Sequence, residues 1–133
     1  MPIGHLGINV PDLDAARSYY ELLMPALEME PFLSDAAQFA YRPAGGKPGA
    51  YLFVYPALDG GAYSRDRAGL QHLAFIVRTR SAVDRVCALA RELGSEIVHE
   101  PRGFAEYPQP YYATFWLDPH GFMLEAVCHH DRA

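Results

Sequence analysis

The segment HLGINV at residues 5–10 returns as HLAFIV at residues 72–77, an offset of 67 positions in a chain of 133. His, Leu and Val are identical in the two copies, and Gly/Ala and Ile/Phe are similar in kind. Three matches in six positions say little alone. The same offset, however, also carries the start of a helix after the first copy onto the start of a helix after the second. A chain that repeats at half its length is constrained to build one supersecondary unit twice.

Each copy reads as a strand leading into a helix. Ile3 to Val10 predicts the first strand, and Asp12 is suited to cap a helix through DLDAARSYYELL that Pro25 stops. In the second half Leu70 to Val77 predicts a strand, and Ser81 with Asp84 three residues later predicts a capping box at the start of a helix that Gly94 ends. Ala82, Val86, Leu89, Ala90 and Leu93 recur at helical spacing and give that helix one face to bury on a sheet.

Three short strand-like runs follow each helix: 31–33, 38–41 and 51–55 in the first half, and 96–99, 111–117 and 122–128 in the second. Asp118-Pro119-His120-Gly121 predicts the tight turn of a hairpin between the last two. The resulting order is βαβββ, twice, which defines an α+β class. Polar, Gly-rich segments at 43–49 and 56–69 supply connections. The second of them joins modules of about 1–58 and 68–130 within a single domain, 1–133.

Composition limits the partners. Eleven basic against sixteen acidic residues give a net charge of −5, so the overall field disfavours DNA and RNA. No stretch approaches the roughly 20 apolar residues of a membrane span, and MPIGHLGINV lacks the pattern of a signal peptide. The expectation is a cytoplasmic protein with no membrane partner. Cys87 and Cys128 are isolated thiols, read as packing residues.

Three residues stand out chemically. By strand alternation His5 shares a face with Ile3, Gly7 and Asn9, His72 with Leu70, Ala74 and Ile76, and Glu125 with Met123 and Val127. A lone carboxylate in an apolar row costs several kcal/mol unless something neutralises it, on the order of the penalty for an unpaired buried ion. Two imidazoles and one carboxylate form a set that binds one divalent ion, Fe(II), Mn(II) or Zn(II), with positions left for substrate oxygens.

On HLGINVPDLDAARSYYELL, GLQHLAFIV and FWLDPHGFMLEAV, the chain resembles the vicinal oxygen chelate superfamily over almost its whole length. That superfamily contains glyoxalase I, extradiol ring-cleaving dioxygenases, fosfomycin resistance enzymes, methylmalonyl-CoA epimerase and bleomycin resistance proteins. The resemblance implies paired βαβββ modules whose mixed sheet curls into a metal-binding cup. The ligands come from the first strand of each module and from the last strand, where His5, His72 and Glu125 fall. It also implies a homodimer and a small-molecule substrate held through adjacent oxygens. Pairing AYLFVY with FMLEAV sets Phe53 where glyoxalase I carries a fourth ligand, and Phe115 stands where ring-cleaving enzymes carry a tyrosine.

Candidate catalytic acids or bases are His99, Glu106, Tyr107, Tyr111 and Tyr112, with Tyr111 favoured. One of the adjacent pair Tyr111 and Tyr112 should face the cup and the other the opposite side. Tyr63, Arg65 and Arg67 lie in the long connection, where a loop suits an anionic substrate. His120, His129 and His130 read as exposed histidines without metal. The reading is a metal-dependent dioxygenase or lyase/isomerase. Its alternatives are a metal-free drug binder of the bleomycin resistance kind and a thiol transferase of the fosfomycin resistance kind.

Overall fold

A computed structural model describes residues 2–133, and the chain divides into two units, Met1–Gly61 and Ala62–Ala133. In the first unit, Ile8 and Val10 alternate with the exposed His5, Gly7 and Asn9 along strand β1 (His5–Val10), so one edge of the pleat is core and the other carries His5. The Asp12 carboxylate accepts from the Ala15 backbone N–H at 3.0 Å and opens helix α1 (Leu13–Leu23), as its position predicts. That helix buries Ala16, Tyr19, Tyr20 and Leu23, with the Tyr20 ring 6.2 Å from Phe39. Pro25 lies in a short 3-10 turn at the exit rather than at a clean break. Strands β2 (Met29–Asp35), β3 (Gln38–Pro43) and β4 (Tyr51–Pro56) complete a sheet in the order β1-β4-β3-β2. Its β1–β4 pair is parallel and the others are antiparallel.

The second unit repeats the plan with β5 (Leu73–Ile76), α2 (Arg80–Glu92), β6 (Ile97–Gly103), β7 (Tyr112–Leu117) and β8 (Met123–Cys128). The sheet order is β5-β8-β7-β6, with β5 and β8 parallel. Two four-stranded mixed sheets of equivalent order, each with one helix, are the α+β architecture expected of the repeat. Gly94, at φ 87°, ends α2: its N–H reaches Arg91 O at 3.1 Å and Ser95 N reaches Ala90 O at 2.9 Å, so the left-handed conformation is required there. Asp118 Oδ1 accepts from the backbone N–H groups of His120 and Phe122, both at 2.9 Å, which closes the β7–β8 hairpin. Among the described residues, no helix is long and apolar enough to cross a membrane.

Two local expectations are corrected. Helix α2 is capped by Thr79, whose hydroxyl accepts from Ala82 N at 3.1 Å; Ser81 already lies in the first turn. Asp84 does not close a capping box, because its carboxylate instead accepts from the Tyr112 hydroxyl at 2.8 Å. Strand β5 also begins at Leu73 rather than Leu70. The Leu70 carbonyl accepts from the Tyr63 hydroxyl at 2.5 Å and is thereby held in the connecting segment, so His72 stands at the mouth of the strand. The cap assignment yields a direct test. Thr79→Ala is expected to cost about 1 kcal/mol in urea unfolding, while Ser81→Ala should change stability by no more than about 0.5 kcal/mol.

Candidate metal centre

Every residue of β8 is buried, and Glu125, at 1% exposure, lies in the middle of it. Register aligns Ala74 of β5 with Glu125 on one side and Phe115 of β7 with it on the other. His72 is two residues before Ala74 and projects to the same side of the chain. Its Nε2 stands 3.2 Å from Glu125 Oε1, with the imidazole side chain 37% exposed. Oε1 is nevertheless buried and makes no hydrogen bond, so the contact has the separation of an ion pair without the direction of an N–H···O bond.

The His72 ring explains this. Its Nδ1 faces the side-chain oxygen of Gln71, which only accepts, so the contact is satisfied by a proton on Nδ1, and in the tautomer with that single ring proton Nε2 presents a lone pair. Two lone-pair atoms then face each other, an arrangement that a positive charge between them converts from repulsive to attractive. Two donors bound to one ion at about 2.1 Å each stand about 3.0–3.4 Å apart at octahedral to tetrahedral angles. The imidazole–carboxylate pair therefore fits a divalent metal by spacing, by donor type and by the orphaned Oε1.

The other oxygen of Glu125 is satisfied. Tyr111 donates its hydroxyl to Oε2. Burial, followed by the hydrogen bond and charge of Glu125, pushes the Tyr111 phenol well above its usual range, so it holds its proton. Tyr112 points the opposite way, donating to Asp84 on α2 beneath the Arg80 guanidinium, whose carbon is 5.4 Å from the ring centroid. The adjacent tyrosines thus split between faces.

An aromatic floor surrounds this pair. Phe115 lies 5.9 Å from the His72 ring, 5.4 Å from His99 and 5.4 Å from Phe104. Tyr107 packs 4.8 Å from Tyr111, and the exposed His129 lies 5.1 Å from it. His99 contacts the floor through Phe104 and Phe115, while Glu106 is exposed in the loop after β6. Tyr63 packs 4.4 Å from Phe122, and Arg67 donates to the Ala62 carbonyl at 3.0 Å, so both brace the connecting segment. His120 differs from expectation: it is half-buried, and its Nε2 is fully enclosed with no hydrogen-bond partner, because the Asp118 turn draws the residue inward.

His5 lies in the first unit, its ring edge-on to Phe53 at 5.3 Å. The β1–β4 register matches Gly7 with Phe53 as the β5–β8 register matches Ala74 with Glu125. Phe53 thus holds in the first unit the place Glu125 holds in the second, in line with the sequence pairing. Among the described residues no group of three or more His, Cys, Asp and Glu side chains is gathered as a metal cluster. His72 and Glu125 are brought together; His5 belongs to the other unit. Gln71 was missed by sequence reasoning, its only signal being its place beside His72 in GLQHLAFIV.

A family model for the Glyoxalase/Bleomycin resistance protein/Dioxygenase superfamily matches residues 2–126. The chain belongs to that superfamily. An uncharacterized protein of Pseudomonas aeruginosa is 30% identical over 125 residues, covering 91% of this chain and 84% of its own. A solved Bacillus halodurans structure described as a glyoxalase is 28% identical, with a TM-score of 0.80 over 95% of this chain and 94% of that one. A glyoxalase/bleomycin resistance protein from Albidiferax ferrireducens shares the fold at 20% identity, with a TM-score of 0.76 over 98% and 100% of the two chains.

Proposed function

We propose that the protein is a divalent-metal-dependent enzyme of the glyoxalase/extradiol dioxygenase type, acting on a small substrate with adjacent oxygens. His72 and Glu125 hold the ion, and His5 of the same chain, or of a second copy in a homodimer, is the third ligand. The observation that carries the reading is the enclosed, hydrogen-bond-free Oε1 of Glu125 facing His72 Nε2 at 3.2 Å. An ion bound there supplies Lewis-acid polarisation of substrate oxygens. The chain's own residues do the rest. Tyr111 donates its hydroxyl to Glu125 Oε2, Phe104 and Phe115 exclude water beside the pair, and the exposed His99 is the group placed to exchange a proton with bound substrate.

A second reading, a metal-free drug binder, draws support from the same aromatic floor, since flat rings stack on Phe104, Tyr107 and Phe115 without any ion. Metal analysis of protein purified without chelators separates the two. Stoichiometric Fe, Mn or Zn is expected, falling in His5→Ala; its absence in the unmutated protein would sink the enzyme reading and leave the binder.

A further inference from the structure

We infer that Gln71 and Tyr111 are positioning residues that make His72 and Glu125 a preformed cation-binding pair within the second unit, Gln71 by fixing the imidazole tautomer and Tyr111 by occupying one carboxylate oxygen. The inference rests on the metal-dependent reading and assigns it two residues outside the ligand set.

The argument is one of counting donors and lone pairs. Glu125 is 1% exposed, so neither oxygen can turn to bulk water. Tyr111 donates to Oε2, leaving Oε1 alone toward His72. On the imidazole, the Gln71 amide oxygen takes the Nδ1 proton's hydrogen bond, which directs the lone pair to Nε2, the atom 3.2 Å from Oε1. Without Gln71 the ring is free to protonate Nε2 and donate to Oε1, closing the site on itself. Without Tyr111 the carboxylate is free to rotate and seek donors elsewhere. Outer partners of this kind keep a ligand's orientation and basicity fixed.

Tyr112 provides an internal contrast. It also donates a phenol O–H to a carboxylate, that of Asp84, at 2.8 Å, yet on the opposite side of the sheet. A merely structural tyrosine–carboxylate bond should therefore behave like Tyr112, and a positioning one should not.

The test has two arms. Nitrogen-15 NMR of metal-free protein labelled at histidine reads the His72 tautomer. Nδ1–H is expected in the unmutated chain and in Gln71→Glu, which keeps an acceptor there, with Nε2–H gaining population in Gln71→Leu. Zn(II) affinity, measured by chelator competition, is expected to fall about 10- to 100-fold in Tyr111→Phe and Gln71→Leu. It should hold in Gln71→Glu and Tyr112→Phe. Gln71 is exposed, so its variants fold even where Tyr111→Phe is compromised. If the unmutated protein binds Zn(II) and both Tyr111→Phe and Gln71→Leu bind it equally tightly, or if His72 is Nε2-protonated throughout, the inference falls and the metal reading stands. If the unmutated protein binds no Zn(II), both fall.

Discussion

Glu125→Gln is expected to strip the protein of its metal while making the metal-free fold more stable than that of the unmutated chain. The two effects have one cause. In the absence of metal, Glu125 is a carboxylate at 1% exposure with one oxygen bonded to Tyr111 and the other bonded to nothing. Burial of an incompletely paired charge is destabilising, and one unsatisfied buried group alone costs about 1–3 kcal/mol. Glutamine has the same shape. Its amide oxygen still accepts from Tyr111, and the neutral amide removes the incompletely paired buried charge 3.2 Å from His72 Nε2. Thermal unfolding in the presence of a chelator should show the variant more stable by about 1–2 kcal/mol, roughly 3–8 °C in Tm for a domain of this size. Metal content should drop to background, since a neutral amide is a far poorer ligand than a carboxylate. A variant that loses stability in chelator would show that Glu125 serves the fold rather than an ion.

How much of this was legible beforehand depends on the range of the interaction concerned. The repeat of HLGINV as HLAFIV, the Asp12 cap, the Gly94 stop and the Asp118–Gly121 turn are local signals, and each reappears in the fold because a few neighbouring residues decide it. The cap of α2 was misread because Thr79 and Ser81 are chemically equivalent as caps; their hydroxyls even lie 3.2 Å apart, and only the chain direction at Thr79 selects between them. The start of β5 was misread because a contact from Tyr63, seven residues earlier in sequence, removes the Leu70 carbonyl from the ladder. Strand alternation alone settled that Tyr111 and Tyr112 diverge. Which of them meets Glu125 required the β7–β8 register and the packing of α2, both long-range. The burial of Glu125 follows from its apolar neighbours in β8, whereas the enclosure of His120 Nε2 has no signature in the turn motif that carries it.

Trp116→Ala is expected to be the most destabilising single truncation in the second unit, and its effect should fall on folding rather than on the chemistry of the pair. Strand alternation puts Phe115 on the face of Glu125 and Trp116 on the reverse face, with Tyr112 and Thr114. That reverse face meets α2, as the Tyr112 bond to Asp84 shows, and α2 turns toward the sheet mainly small or slender side chains: Ala82, Val83, Val86, Cys87 and Ala90. Small helix residues leave room for a large sheet residue, and the indole, at 0% exposure, occupies it. Alanine at 116 forfeits the transfer free energy of the ring and leaves a cavity that neither the β-ladder nor the short helix side chains can refill. The expected loss is about 3–5 kcal/mol in urea unfolding, a large part of the roughly 5–15 kcal/mol that holds a domain together. Because Phe104, Phe115, Met123 and Val127 pack on the other face, Zn(II) affinity measured on the folded fraction at low temperature should stay near that of the unmutated protein. If affinity falls in step with stability, the two faces of the sheet are coupled, and the separation of scaffold from site argued from alternation does not hold.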